Sequence, residues 1–140
     1  QAVLALKEDP LASLSTIAVP FPEEERIDDP NAVKVVLDGA NRALYFSRSP
    51  IPYKRNTEAM HLLHVGIYVF RRAFLEEYAQ LPPSPLEWSE GLEQLRALEA
   101  GRTIRVVVVH DNLFGINAPS DLVKVERALE ARLRRKRASV

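Results

Sequence analysis

Within the segment HVGIY, residues His64, Gly66 and Tyr68 alternate, so in an extended strand they share one face. At roughly 3.3 Å per residue the two ring-bearing positions stand about 13 Å apart, with a bare glycine between them. Two polar rings flanking such a notch suit a polyhydroxylated ligand, and an imidazole can also pair with an anionic group. The same three residues equally fit a bland arrangement, with His64 and Tyr68 hydrogen-bonded inside the fold and Gly66 permitting close packing. The pattern alone favours that second reading.

Glu93 and Gln94, in GLEQLR, fall off or at the edge of an apolar helical stripe. They can accept hydrogen bonds from ligand hydroxyls or simply line a solvated flank. His61 and His64 are three apart but lead into a strand, which sends them to opposite faces and argues against a two-histidine metal site. His110, beside Asp111, reads as a surface turn. Arg132, Arg134, Arg135, Lys136 and Arg137 could attract nucleic acid or anionic lipid. Lys and Arg total 19 against 19 Asp and Glu, and no aromatics interleave the run, so residues 131–140 read as a solvated basic tail with no nucleic-acid partner. The 5 glycines are not clustered, which leaves no phosphate-cradling loop. With 0 cysteines there is no disulfide framework, thiolate metal site or catalytic thiol, and a reducing cytoplasm suits the chain.

The elements that must position these residues follow from apolar periodicity. A chain of 140 residues fits one domain, and residues 1–140 are expected to form a single α/β unit. Residues 1–7 have the pattern of a helix already under way, with no cap residue before it. Residues 14–19, 33–37, 43–46, 64–70 and 103–109 have strand character, the last being a near-continuous apolar run expected to be covered on both faces. The second and third of these are joined by DGANR, whose Asp-Gly pair suits an antiparallel hairpin. Residues 48–55, with prolines at 50 and 52, should be irregular and exposed. Residues 71–80 read as a short helix. Ser84-Pro85-Leu86-Glu87 is a capping box that opens another, with a buried stripe of Trp88, Leu92, Leu95 and Leu98 and Gly101 to end it. A final helix spans residues 119–135. Alternating strands and helices imply an α/β layer structure with a mixed sheet flanked by helices, antiparallel at the hairpin and parallel across helix crossovers. No apolar run, whether Ala2 to Leu6 or Val106 to Val109, exceeds five residues, far short of the roughly 20 needed to span a bilayer, so no membrane partner is expected. The first ten residues lack the pattern of a secretory signal.

Several segments together resemble one family. DPNAVKVVLDGANRALYFSRSPIPY, HVGIYVFRRAFLEEYAQLPPSPLE, GLEQLRALEAG and GINAPSDLVKVE are similar, in order, to the C-terminal half of 3-deoxy-manno-octulosonate cytidylyltransferases, the CMP-Kdo synthetases. The resemblance runs from about residue 14 to residue 129. It implies a Rossmann-like nucleotide-diphospho-sugar transferase fold and an enzyme that joins CTP to the sugar acid Kdo, giving CMP-Kdo and pyrophosphate for lipopolysaccharide assembly. Magnesium and a homodimer, paired through the hairpin and RSPIPY, are implied too. So is a sugar-acid pocket lined by His64, Tyr68, Glu93 and Gln94. Arg48, in YFSR, either assists with the sugar or fixes its own loop.

At the metal corner this sequence departs from the family. Where the family reads Gly-Val-Asp-Thr-Pro-Glu-Asp, this chain has Gly115-Ile116-Asn117-Ala118-Pro119-Ser120-Asp121. Asn117 replaces the magnesium-binding aspartate and keeps one uncharged oxygen, while Mg²⁺ normally relies on carboxylates and phosphates. Ala118 replaces a helix-capping threonine, a change expected to cost about 1 kcal/mol. The family's nucleotide loop, cytosine pocket and second magnesium aspartate belong to its N-terminal half, so this chain by itself is expected not to turn over CTP. The rival expectation is a non-catalytic sugar-acid-binding or dimerisation module, a pseudoenzyme or a fragment.

Overall fold

The structure, a computed structural model, describes residues 1–23, 25–56 and 60–110, together with Glu126, Glu130 and Arg134. Its elements are α1 (Ala2–Glu8), β1 (Ala12–Pro20), β2 (Lys34–Leu37), β3 (Ala43–Ser47), β4 (Leu62–Phe70), α2 (Arg72–Tyr78), α3 (Pro85–Glu90), α4 (Gln94–Glu99) and β5 (Thr103–Val108). The strands form one mixed sheet in the order β3-β2-β4-β1-β5, with β1 and β5 parallel and the remaining pairs antiparallel. The expected mixed sheet flanked by helices is what the chain builds.

Alternation along β1 assigns the two faces. Ser15 donates from its hydroxyl to the Ala2 carbonyl at 2.8 Å, which puts α1 against the odd-numbered face. Leu14 and Ala18 belong to the core cluster on the opposite face, with Val35 and Phe46 from the hairpin, Phe74 from α2, Leu92 and the α4 residues Leu95 and Ala97. This second face carries the candidate site. β5 is covered less evenly than its run of valines suggests. Ile104 and Val106 are buried, whereas Thr103, Arg105, Val107 and Val108 are half-buried, as fits a strand that among the described residues pairs along its length with β1 and meets only a single bridge, Arg42 to Arg105, on its other side.

The β2–β3 connection forms through different chemistry from that expected. The residue with positive φ is Asn41, at 55°, rather than the glycine of the Asp-Gly pair. Asp38 organises the turn by accepting from the amides of Ala40 and Arg42 at 2.8 Å each, an Asx arrangement available to a short carboxylate side chain. Arg42 then pairs in a bidentate manner with Asp9, at 2.9 and 3.0 Å, fastening the hairpin tip to the α1–β1 corner.

A larger difference lies between residues 84 and 101. The expected single helix is two, α3 and α4, because Gly91 adopts a left-handed conformation with φ of 61° and ends α3. The Glu87 side chain does reach back to the Ser84 amide, at 3.2 Å, so the helix starts where its capping residues place it. The break redirects the chain, and the four-residue spacing from Trp88 to Leu92 no longer marks one stripe. Trp88 is 77% exposed while Leu92 and Leu95 are buried and Leu98 packs beside them. Gly101, with φ of 70°, ends α4 as anticipated. A Cβ at Gly91 would meet only the Arg48 guanidinium, 3.7 Å from Nη2 and 4.0 Å from Nε, which is ordinary contact, so the left-handed backbone alone penalises a side chain there. Gly91→Ala is expected to cost about 1–2 kcal/mol in urea unfolding.

The final helix over 119–135 and the tail over 131–140 fall mostly outside the described residues. Glu126, Glu130 and Arg134 are helical and exposed. Among the described residues no helix is long and apolar enough to cross a membrane.

Candidate functional site

His64 and Tyr68 both lie on the face of β4 that packs beneath α2 and α4, but not at the separation a regular strand would give. Their ring centroids are 5.4 Å apart and tilted by 52°. The pairing register supplies the reason. Ala18 stands opposite His64 and Thr16 opposite Tyr68, so the two rings answer to adjacent same-face positions of β1 although they are four residues apart on β4. The surplus residues, Gly66 and Ile67, form a bulge and are exposed. Gly66 is therefore neither a notch between the rings nor a close-packing glycine, since a Cβ added to it would touch nothing within 4 Å.

Aromatic rings continue on both sides of this pair. Phe46 meets the His64 ring edge-on at 4.8 Å, Tyr68 leads to Phe70 at 6.3 Å, and Phe70 contacts Phe74 and Tyr78 of α2. Tyr78 donates its hydroxyl to the Glu93 carbonyl at 2.7 Å, which ties the start of α4 to the end of the row. Arg96 lies over the Tyr78 ring, 5.0 Å from its centroid, and forms a bidentate pair with Glu87. These contacts bring Glu93 and Gln94 toward the β4 rings.

The electrostatics follow from this burial. Loss of solvent pushes the His64 imidazole down to about 4, so it is neutral at ordinary pH and offers hydrogen bonds rather than a charge to an anionic group. Burial, and then the nearby Glu93 carboxylate, push the Tyr68 phenol up and keep it protonated. Among the described residues its hydroxyl makes no hydrogen bond. Glu93 is exposed, whereas Gln94 is buried and its Nε2 has no hydrogen-bond partner among the described residues. A buried amide without a partner costs about 1–3 kcal/mol, which a ligand oxygen would offset.

Arg48 is placed differently. Its Nε donates to the Glu90 carbonyl at 2.6 Å, Nη1 to Pro30 at 2.7 Å and Nη2 to Gly91 at 3.1 Å. With these bonds the guanidinium holds the α3–α4 turn and so orients the residues that follow Gly91. Beneath it Lys34 is 0% exposed, with its Nζ donating to the Asp29 carbonyl at 3.1 Å and to the Arg48 carbonyl. Asn117 lies outside the described residues, and among the described ones no group of three or more His, Asp or Glu could hold a metal.

A family model described as cytidylyltransferase matches residues 1–104. The chain belongs to the cytidylyltransferase family. Its relatives include the 3-deoxy-manno-octulosonate cytidylyltransferase of Solibacter usitatus (strain Ellin6076), 47% identical over 132 residues that make up 93% of this chain and 52% of that protein. The enzyme of the same name from Synechococcus elongatus is 50% identical over 116 residues, 80% of this chain and 47% of the relative. Among solved structures, CMP:2-keto-3-deoxy-manno-octonic acid synthetase complexed with CTP superposes with a TM-score of 0.82 at 44% identity, covering 94% of this cytidylyltransferase chain and 54% of that one. The sheet is thus part of a nucleotide-diphospho-sugar transferase fold, and the chain spans about half the length of the relatives it matches.

Three structurally important residues escaped the sequence reading. Thr16 sits under the His64 ring, Tyr78 bonds Glu93, and Glu90 anchors the Arg48 loop. Of the three, Thr16 left a signal, since together with Ser15 it puts hydroxyls into the mostly apolar run LSTIAV.

Proposed function

We propose that this chain carries the sugar-acid side of a cytidylyltransferase that couples Kdo to CTP, releasing pyrophosphate and yielding CMP-Kdo for lipopolysaccharide synthesis. One juxtaposition carries the reading. The His64 and Tyr68 rings stand 5.4 Å apart beside the Glu93 charge, with the buried Gln94 amide lacking a partner among the described residues. Imidazole, phenol, carboxylate and amide together offer both donors and acceptors, as a polyhydroxylated acid requires.

The chemistry is in-line attack of the anomeric hydroxyl of the sugar on the α-phosphate of CTP. Magnesium, when bound, would neutralise charge on the phosphate oxygens. Asn117 offers one uncharged oxygen for it, and the described residues gather no carboxylate cluster, so no step is assigned to a metal on this chain. The nucleotide side belongs, in this proposal, to the portion of the relatives that the chain does not span. The working enzyme is taken to be a cytoplasmic homodimer, in keeping with a cysteine-free sequence of balanced charge.

Supplied with CTP, Kdo and Mg²⁺, the isolated chain should release no pyrophosphate, and robust release would refute the division of labour. By calorimetry it should bind Kdo, with Tyr68→Phe and Glu93→Ala each weakening affinity about tenfold, the equivalent of one lost hydrogen bond, without unfolding the protein. Unchanged affinity in both variants would show that the sugar acid binds elsewhere.

A further inference from the structure

Thr16 lies mid-way along β1 and is 0% exposed, so its hydroxyl must find its partners inside the protein. Three are in reach, the Ile67 carbonyl at 2.7 Å, the Val65 carbonyl at 3.2 Å and the His64 Nε2 at 2.9 Å. Both carbonyls belong to the stretch of β4 where the register with β1 shifts.

A hydroxyl has one proton and two lone pairs, and a carbonyl can only accept. If Thr16 gave its proton to His64, neither carbonyl would receive it. If it donates to Ile67, the closer carbonyl, its oxygen is free to accept from the imidazole. The second arrangement makes two hydrogen bonds and the first makes one, which in a buried site selects the second.

We infer that Thr16 is a positioning residue for the sugar-acid site: its hydroxyl fixes the His64 ring as the Nε2–H tautomer and pins the bulge that sets Tyr68 beside it. The functional half of this inference rests on the sugar-acid reading above. Nδ1 is left as a lone-pair acceptor, and no hydrogen bond to it is made among the described residues. A sugar hydroxyl can therefore donate to it. Thr16 is a spacing device as well as a tautomer selector, because without the bulge Tyr68 would fall opposite Leu14 and leave the imidazole.

The test reads the ring directly. In a His61→Gln, His110→Gln background, where His64 is the only histidine, nitrogen-15 long-range correlation spectra report which ring nitrogen carries the proton. Wild-type Thr16 and Thr16→Ser should both show the Nε2–H form, and Thr16→Val should show a mixture or the other tautomer. Kdo affinity by calorimetry should fall tenfold or more in Thr16→Val and return in Thr16→Ser. An Nδ1–H ring with Thr16 intact overturns the inference, even if Thr16→Val fails to fold. So do an unchanged tautomer and affinity in a folded Thr16→Val. Failure of every form to bind Kdo, with the tautomer responding as expected, would instead remove the sugar-acid reading and leave the Thr16–His64 coupling standing.

Discussion

Glu90→Ala should lower the stability of the fold by about 2–4 kcal/mol, the range for removing one member of a partly buried charged network. The carboxylate accepts from the Ser47 hydroxyl at 2.6 Å, the Arg48 amide at 2.9 Å and the Tyr45 hydroxyl at 3.3 Å. Burial pushes its pKa up, but hydrogen bonds from Ser47, the Arg48 amide and Tyr45, with the Arg48 charge, outweigh that and hold it below the usual glutamate range. Glu90 also supplies negative charge near Lys34, whose ammonium is pulled down by burial in the same region. Truncation would strip three donors of their acceptor and leave that ammonium with less counter-charge. Glu90→Gln keeps one acceptor oxygen and the same length, so it should recover part of the loss. Urea unfolding of the two variants checks this, and equal stability of Glu90→Ala and wild type would show the network to be incidental. Because Arg48 and Glu90 together hold the turn before Glu93, Glu90→Ala should also loosen Kdo binding.

Much of this architecture was legible because local signals and tertiary demands agree. The strands of β1, β4 and β5 are apolar and β-branched, and α3 begins at its capping box, so sequence position and structure coincide there. The errors occur where backbone geometry changes within an apparently regular pattern. Trp88, Leu92, Leu95 and Leu98 keep helical spacing on paper, yet the left-handed Gly91 lies between the first and second of them. His64 and Tyr68 share a face as the strand period dictates, but their closeness depends on two bulged residues that alternation does not encode. The surroundings of Arg48 could not be read from its neighbours in sequence, since two of its guanidinium contacts, to Glu90 and Gly91, come from residues more than forty positions away. Burial was likewise invisible at Gln94, which helical position placed at a flank and which α4 turns inward.

The pH profile of stability should carry the signature of His64. Its imidazole titrates near 6.5 when unfolded and about 4 when folded, because burial penalises the charged ring. Below pH 6.5 the unfolded chain takes up a proton that the folded chain refuses, so acid favours unfolding. The contribution is complete above about 6.5, is lost progressively as pH falls toward about 4 and changes no further below that. The gap corresponds to about 3 kcal/mol. Asp9, Glu87 and Glu90 also have depressed values and lose their own contributions in acid, so the measurement that isolates His64 compares wild type with His64→Asn by urea unfolding across pH 7 to 4. Wild type should lose about 3 kcal/mol more than the variant over that range, and parallel curves would mean that the ring is solvated or paired when folded. The same neutrality bears on recognition. An imidazole that enters the complex uncharged contributes directional hydrogen bonds but no attraction to a carboxylate, so Kdo affinity should stay level from pH 8 to 6. Affinity that climbs as the solution is acidified through that range would instead identify an imidazolium forming on binding, and would move the recognition of the acid group onto His64 itself.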